Sequence, residues 1–232
     1  IDKPFGDPIK AFAALKAGDI LYVRGGTYHL SQTIKVNQTG TTDKRICVFA
    51  YPGDTERPVF DFSGQPRSTS TEAASYRGVM HNIGANYWHY RGLDFCHAAD
   101  NGMKLEGSYC VVELCRFYGN EDTGLQQGFG KDSKGNNTRN TEFKYGRNNI
   151  IVNCDAYDNN DPWTHGGNAD GFAIKLYPGP GNEFHGCRAW HNSDDGWDLY
   201  YTVFPIVVDN CWVLNNGLDK GNANGFKMGG CK

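Results

Sequence analysis

No apolar run in this chain of 232 residues approaches the roughly 20 that a membrane-spanning helix needs, and no signal-peptide pattern opens it at Ile1. Charge of one sign is also missing: the formal net charge is −3, too small to gather nucleic acid or anionic membrane through a global field, so any polyanion has to be held locally. Segments that read as helix are equally scarce. What the chain has instead is 30 glycines, 13% aromatics and eight cysteines, a composition suited to a β-rich fold with many tight turns. Its length fits one domain over residues 1–232. The abrupt start at Ile1 reads as a processed or trimmed terminus.

Five cysteines open similar words: CHAADN from 96, CRFYGN from 115, CDAYDN from 154, CRAWHN from 187 and CWVLNN from 211. Each carries asparagine five places on, at 101, 120, 159, 192 and 216, and the cysteines follow one another at intervals of 19, 39, 33 and 24 residues. A second repeat follows in each unit, a glycine before an extended word: GMKL at 102, GLQQ at 124, GFAIKL at 171, GWDLY at 196 and GFKMGG at 225. Between them VVELCRF, NIIVNCDAY, NEFHGCRAW and PIVVDNCWV read as short strands. An internal repeat of this length, made of short strands and Asn/Gly turns, favours a parallel β-solenoid over a sandwich. In such a coil the five cysteines stack inward as reduced thiols, and the asparagines stack at a turn where they tolerate left-handed backbone and hydrogen-bond to their neighbours. Cys47, Cys110 and Cys231 stand outside the ladder, and any disulfide is expected to involve them.

DPIKAFAALKAGD, with apolar residues at 9, 12, 13 and 15, predicts a short amphipathic helix that caps the first coil within residues 1–20. Residues 128–149 stretch the interval between Cys115 and Cys154 and read as an inserted loop; five Lys/Arg against two acids make it either a cationic wall or plain solvated surface. At the other end MGGCK offers no cap, so further coils are expected beyond it.

Aligning the repeats on their glycines brings charges together, because equivalent positions of a parallel sheet are neighbours about 4.8 Å apart. One place before the glycine stand Asp170, Asp195 and Asn224; two places after it stand Ala173, Asp198 and Lys227. Asp194 adds a fourth carboxylate. An Asp before Gly is an ordinary turn pair, which accounts for any one of them. Four converging hard oxygen donors point to Ca²⁺, and His185 and His191 lack the spacing of a zinc site. Lys227 falls beside this patch, where a bound cation would favour the neutral amine, a base for a carbon acid. Lys104 holds the same position in an earlier coil and is expected to have no carboxylates around it.

GNADGFAIK (167–175), HNSDDGWDLY (191–200) and NGFKMGG (224–230) together resemble the pectate lyases of polysaccharide lyase family nine, and weaker similarity runs over nearly the whole chain. The resemblance implies a right-handed parallel β-helix, calcium held by Asp170, Asp194, Asp195 and Asp198, and Lys227 as catalytic base. It also implies β-elimination on an acidic, galacturonate-containing pectic polysaccharide: Lys227 takes the C5 proton and the C4–O bond breaks. An alkaline optimum follows from the lysine. Lys175 is a further candidate for substrate contact. Because the polymer lies outside the cell, a secreted, periplasmic or bacterial cell-surface location is expected. Rhamnogalacturonan lyases share the catalytic patch and form the first rival. A polygalacturonase-type hydrolase is the second, although its Gly-His-Gly and Arg-x-Lys elements are missing here. The third is a calcium-binding solenoid without catalysis.

Overall fold

In the computed structural model, described over residues 4–67, 76–129 and 139–229, the chain winds as a right-handed parallel β-helix. Three parallel sheets of seven strands run along it, and each coil gives one short strand to each sheet. The sixth coil is representative: Glu183–His185 in the first sheet, Arg188–Trp190 in the second, Trp197–Tyr200 in the third.

Each of the four predicted strand segments is two strands, split at a corner. VVELCRF breaks between Val111–Glu113 and Arg116–Tyr118 because Leu114 turns left-handed (φ 54°), and Asn153, Gly186 and Asn210 make the same corner in the next three coils. Asn and Gly enter that conformation at little cost, which is why the corners carry them and why Leu114 is the exception.

Residues at one position stack along the helix on their own kind. Phe60, Phe95 and Phe117 lie 5.3 and 5.5 Å apart with rings within 13° of parallel, and Phe172, Trp197 and Phe226 continue the pattern under the third sheet. Burying each such side chain contributes about 1.5–3 kcal/mol, so this column holds the coils together. Cys115, Cys154 and Cys187 are buried in a stack that ends at Cys211, whose Sγ accepts from the Cys187 N–H at 3.3 Å. Asn120, Asn159, Asn192 and Asn216 form the parallel amide ladder, each Nδ2 donating to the next Oδ1 at 2.8–2.9 Å. None of these four is left-handed; hydrogen bonding alone selects asparagine.

The first word, CHAADN, is out of phase. Cys96 pairs in register with Tyr118, so the position equivalent to Cys115 is Leu93 and that equivalent to Asn120 is Ala98, whose N–H caps the amide ladder at Asn120 Oδ1. Cys96 belongs to another column, and Asn101 donates to Gln126 instead. All seven described cysteines are free thiols, Cys47 and Cys110 included, while Cys231 lies outside the described residues.

The helix Pro8–Ala14 starts at Asp7, whose carboxylate accepts from Ile9 N–H, and Gln38 Nε2 closes its end on the Phe12 and Ala13 carbonyls. It stops before the predicted Gly18. Phe12 plugs the first turn against Phe60 and Trp88, and Ala11 takes the buried place expected of Ala13, which is exposed. Of the 128–149 segment, residues 130–138 lie outside the described residues. Its described cations turn to neighbours: Arg139 to Glu106, Lys144 to Glu142, and Arg147 over the Tyr109 ring.

Candidate active site

The glycine column is in register throughout: Phe172, Trp197 and Phe226, each following its glycine, pair across adjacent coils, and Asp198 pairs with Lys227. Glycine is required there because the next coil comes close. A Cβ on Gly171 would lie 2.9 Å from Asn192 Nδ2 and from the Gly196 carbonyl oxygen; one on Gly196 would lie 2.7 Å from the Gly225 oxygen. The tight turn brings Asp170, Asp195 and Asn224, each one place before its glycine, together in successive coils. Trp197 points into the core and Asp198 out of it, as strand alternation requires.

Asp170, Asp194 and Asp195 bring carboxylate oxygens within 4.8 Å of one another, all three side chains buried. Backbone and side-chain donors fix them. Asp170 Oδ2 accepts from Thr123 Oγ1 at 3.2 Å and Asp170 Oδ1 from Asp195 N–H at 3.3 Å. Asn222 N–H donates to Asp194, and Asn224 gives Asp195 Oδ1 both its N–H and its amide, at 2.9 and 2.8 Å. Asp195 Oδ2 has no partner in hydrogen-bonding geometry, although Lys227 Nζ is 3.1 Å away.

Asp198 stands apart from that trio, between two lysines. Its Oδ2 is 2.8 Å from Lys175 Nζ and 3.7 Å from Lys227 Nζ, and Lys175 also reaches Asp170 Oδ2 at 2.9 Å. The structure therefore draws Lys175 into the carboxylate cluster as its internal counter-charge. Lys227 sits at the rim, with 29% of its side chain exposed.

Burial pushes the Asp170 carboxyl up to about 7; the charges of Asp198 and Asp194 add to this and Lys175 opposes it. Asp194 is raised for the same reason, burial first, then the charge of Asp195. For Lys227 burial works against the ammonium, but Asp198 and Asp195 outweigh it and hold the amine above the ordinary lysine range. An all-oxygen donor set with one unpartnered oxygen on Asp195, and with Asp170 and Asp194 raised by burial, suits a hard divalent cation such as Ca²⁺.

Thr123 stands one place before Gly124, in the same column as Asp170, so the glycine alignment could have found it; Asn222 belongs to no repeated word and carried no signal. Lys104 overturns its expectation. Only 8% exposed, it lies among Glu106, Asp122 and Arg77, and burial lowers its amine to about 8.

The family described as "Pel9A-like, right handed beta helix region" matches residues 1–232. Pectate lyase L of Thermoclostridium stercorarium is 36% identical across 98% of this chain, which spans 18% of that protein. Pectate lyase L of Dickeya dadantii (strain 3937) is 36% identical across 95% of the chain, here spanning 50% of the relative. Among solved structures, "Crystal structure of pectate lyase Pel9A" superposes with a TM-score of 0.76 at 35% identity, over 96% of this chain and 52% of that one. "Rhamnogalacturonan lyase" superposes with a TM-score of 0.81 at 27% identity, over 100% and 58%. The chain thus spans half or less of the curated relatives named, and by its match over residues 1–232 it belongs to the Pel9A-like β-helix family of polysaccharide lyase family 9.

Proposed function

We propose that this chain carries the catalytic face of a calcium-dependent lyase that cleaves galacturonate-containing pectic polysaccharide by β-elimination. The observation that carries the reading is the register of Lys227 with Asp198, which sets an amine at the exposed rim of a buried carboxylate trio. Asp170, Asp194 and Asp195 would hold the cation, with Asp198 completing the set from the strand edge. Bound there, calcium supplies charge that acidifies the C5 proton of a galacturonate through its C6 carboxylate.

Lys227 is the base. Its ammonium is held up by Asp198 and Asp195, and carboxylates neutralised by a cation lose that hold, so the amine sheds its proton at lower pH. It then takes the C5 proton; the C5–H electron pair forms the C4–C5 double bond, and the C4–O pair leaves with the departing sugar oxygen. No water enters the products. Lys175 keeps Asp170 and Asp198 in place through two short ion pairs.

Lys227→Met should cost about 10²–10⁴-fold in kcat, the usual worth of a general base, read from the absorbance of the unsaturated product. Near-normal turnover in that variant sinks the assignment. Exhaustive chelation should abolish activity and added calcium restore it. A hydrolase would yield no unsaturated product, and a non-catalytic solenoid would bind calcium and cleave nothing. Rhamnogalacturonan is the second substrate reading, favoured by the TM-score of 0.81 to a protein so titled. Parallel assays on homogalacturonan and rhamnogalacturonan separate the two.

A further inference from the structure

On the outer face of the second sheet, one column reads His29, Asp61, Cys96, Tyr118 from the first coil to the fourth, each in register with the next. The column crosses three coils with three different metal-binding side chains. His97, left-handed at φ 55°, turns the corner after Cys96 and brings its imidazole back over the same carboxylate. His97 Nδ1 lies 3.0 Å from Asp61 Oδ1, and His29 Nδ1 lies 3.1 Å from Asp61 Oδ2. One ligating atom each from Asp61, Cys96 and His97 fall within 4.8 Å of one another.

Two further observations show that the fold makes room for this cluster. The His97 ring lies over Gly119, where a Cβ would come within 2.8 Å of His97 Cδ2, so a side chain at 119 would displace the imidazole. Ser63 N–H donates to Asp61 Oδ1 at 2.9 Å, which orients the carboxylate from behind in the way outer partners steady metal ligands. Tetrahedral zinc with ligands at about 2.0–2.3 Å sets its donor atoms roughly 3.3–3.8 Å apart, so these three atoms need only a small closure, while the exposed His29 side chain has to swing in from Asp61.

We propose that Asp61, Cys96 and His97, with His29 as fourth ligand, form a zinc site that pins the first three coils together, separate from the carboxylate patch of the third sheet. The donor set selects the metal: one thiolate, two imidazoles and one carboxylate suit a borderline ion such as Zn²⁺ and disfavour Ca²⁺, which takes oxygen. On binding, Cys96 loses its thiol proton to solvent, and His97 binds through Nδ1 as the neutral imidazole with its one ring proton on Nε2. The site does not depend on the lyase reading, and either can fail without the other.

The test uses the whole chain with saturating calcium, so that the aspartate patch is occupied. Co²⁺ should then bind one equivalent and give the thiolate-to-cobalt charge-transfer band and strong visible bands of a tetrahedral site. Zn²⁺ alone should displace it and raise the melting temperature. His97→Gly, a residue the next coil already uses at this corner, should weaken Zn²⁺ at least tenfold, and Cys96→Ser should abolish the charge-transfer band. Both variants should keep wild-type turnover. If cobalt shows no thiolate band in the wild type, or if His97→Gly and Cys96→Ser bind Zn²⁺ as the wild type does, Asp61 is merely an ion-pair partner for two histidines and the proposal is wrong.

Discussion

Lys104 and Lys227 occupy one column of the third sheet and live in opposite electrostatic settings. Lys227 gains from the carboxylates around it; Lys104 is buried, and among the described residues it has no carboxylate within ion-pair distance. Its amine falls from 10.5 to about 8, chiefly through burial, with Glu106 pulling the other way. Below about pH 8 the folded protein bears the cost of a buried charge. Between about 8 and 10.5 the unfolded chain binds a proton that the folded lysine has shed, so stability from this residue rises with pH, by up to about 3 kcal/mol. Methionine has the same reach and no proton. Urea unfolding should therefore show Lys104→Met as stable as wild type or more so at pH 7, with wild type gaining on it steadily from pH 8 to 10.5. A stability difference that stays flat across that window would falsify the buried-charge account.

At the scale of elements, the amide ladder does the work that capping does for helices. Asn159 donates to Asn192 Oδ1 and to the Phe117 carbonyl, and accepts from both the N–H and the amide of Asn120. Asn159→Ala strands several buried groups at once and should lower stability by about 2–5 kcal/mol in denaturant titration. Asn101→Ala, outside the ladder, should cost clearly less; equal costs would mean the ladder has no collective role. The same contrast marks what could be read from the chain. Glycine columns were legible because five coils repeat the same close approach, and with them came the neighbourhood of Asp170, Asp195, Asp198 and Lys227. The Cys-to-Asn spacing located four coils and misplaced the fifth, since spacing within a coil says nothing of phase between coils; register sets that, and it put Tyr118 opposite Cys96. Coil one carries neither column, and coil two carries only Gly78, in register with Gly102 but without a Cys-to-Asn word to mark it. Lys175 meets Asp198 only because Leu176 and Tyr177, both left-handed, bend the chain just after it, and two consecutive left-handed non-glycine residues have no sequence signature.

Over the whole molecule, a solenoid is held together by neighbour contacts, so stability is local along its axis. The carboxylate trio joins the fifth and sixth coils, and Lys227, Asn222 and Asn224 tie in the seventh, where Trp212, Leu214 and Met228 are exposed. Without a cation this junction is strained by its own charge. Asp170, raised to about 7 against 3.8 in the unfolded chain, contributes stability that is complete below about pH 4 and lost as pH climbs through 7. Calcium binds the ionised form, so it should offset the loss where the loss occurs. The melting temperature gained on adding calcium to chelated protein should be small at pH 4.5 and large at pH 7.5. Amide exchange should locate that gain: protection rises between residues 168 and 229 and hardly changes in the coils around Phe60 and Phe95, because a one-dimensional stack transmits stabilisation only to its neighbours. A calcium shift of equal size at both pH values removes the aspartates as its origin. Protection that rises evenly from the first coil to the last would instead mean that the coils unfold as one unit.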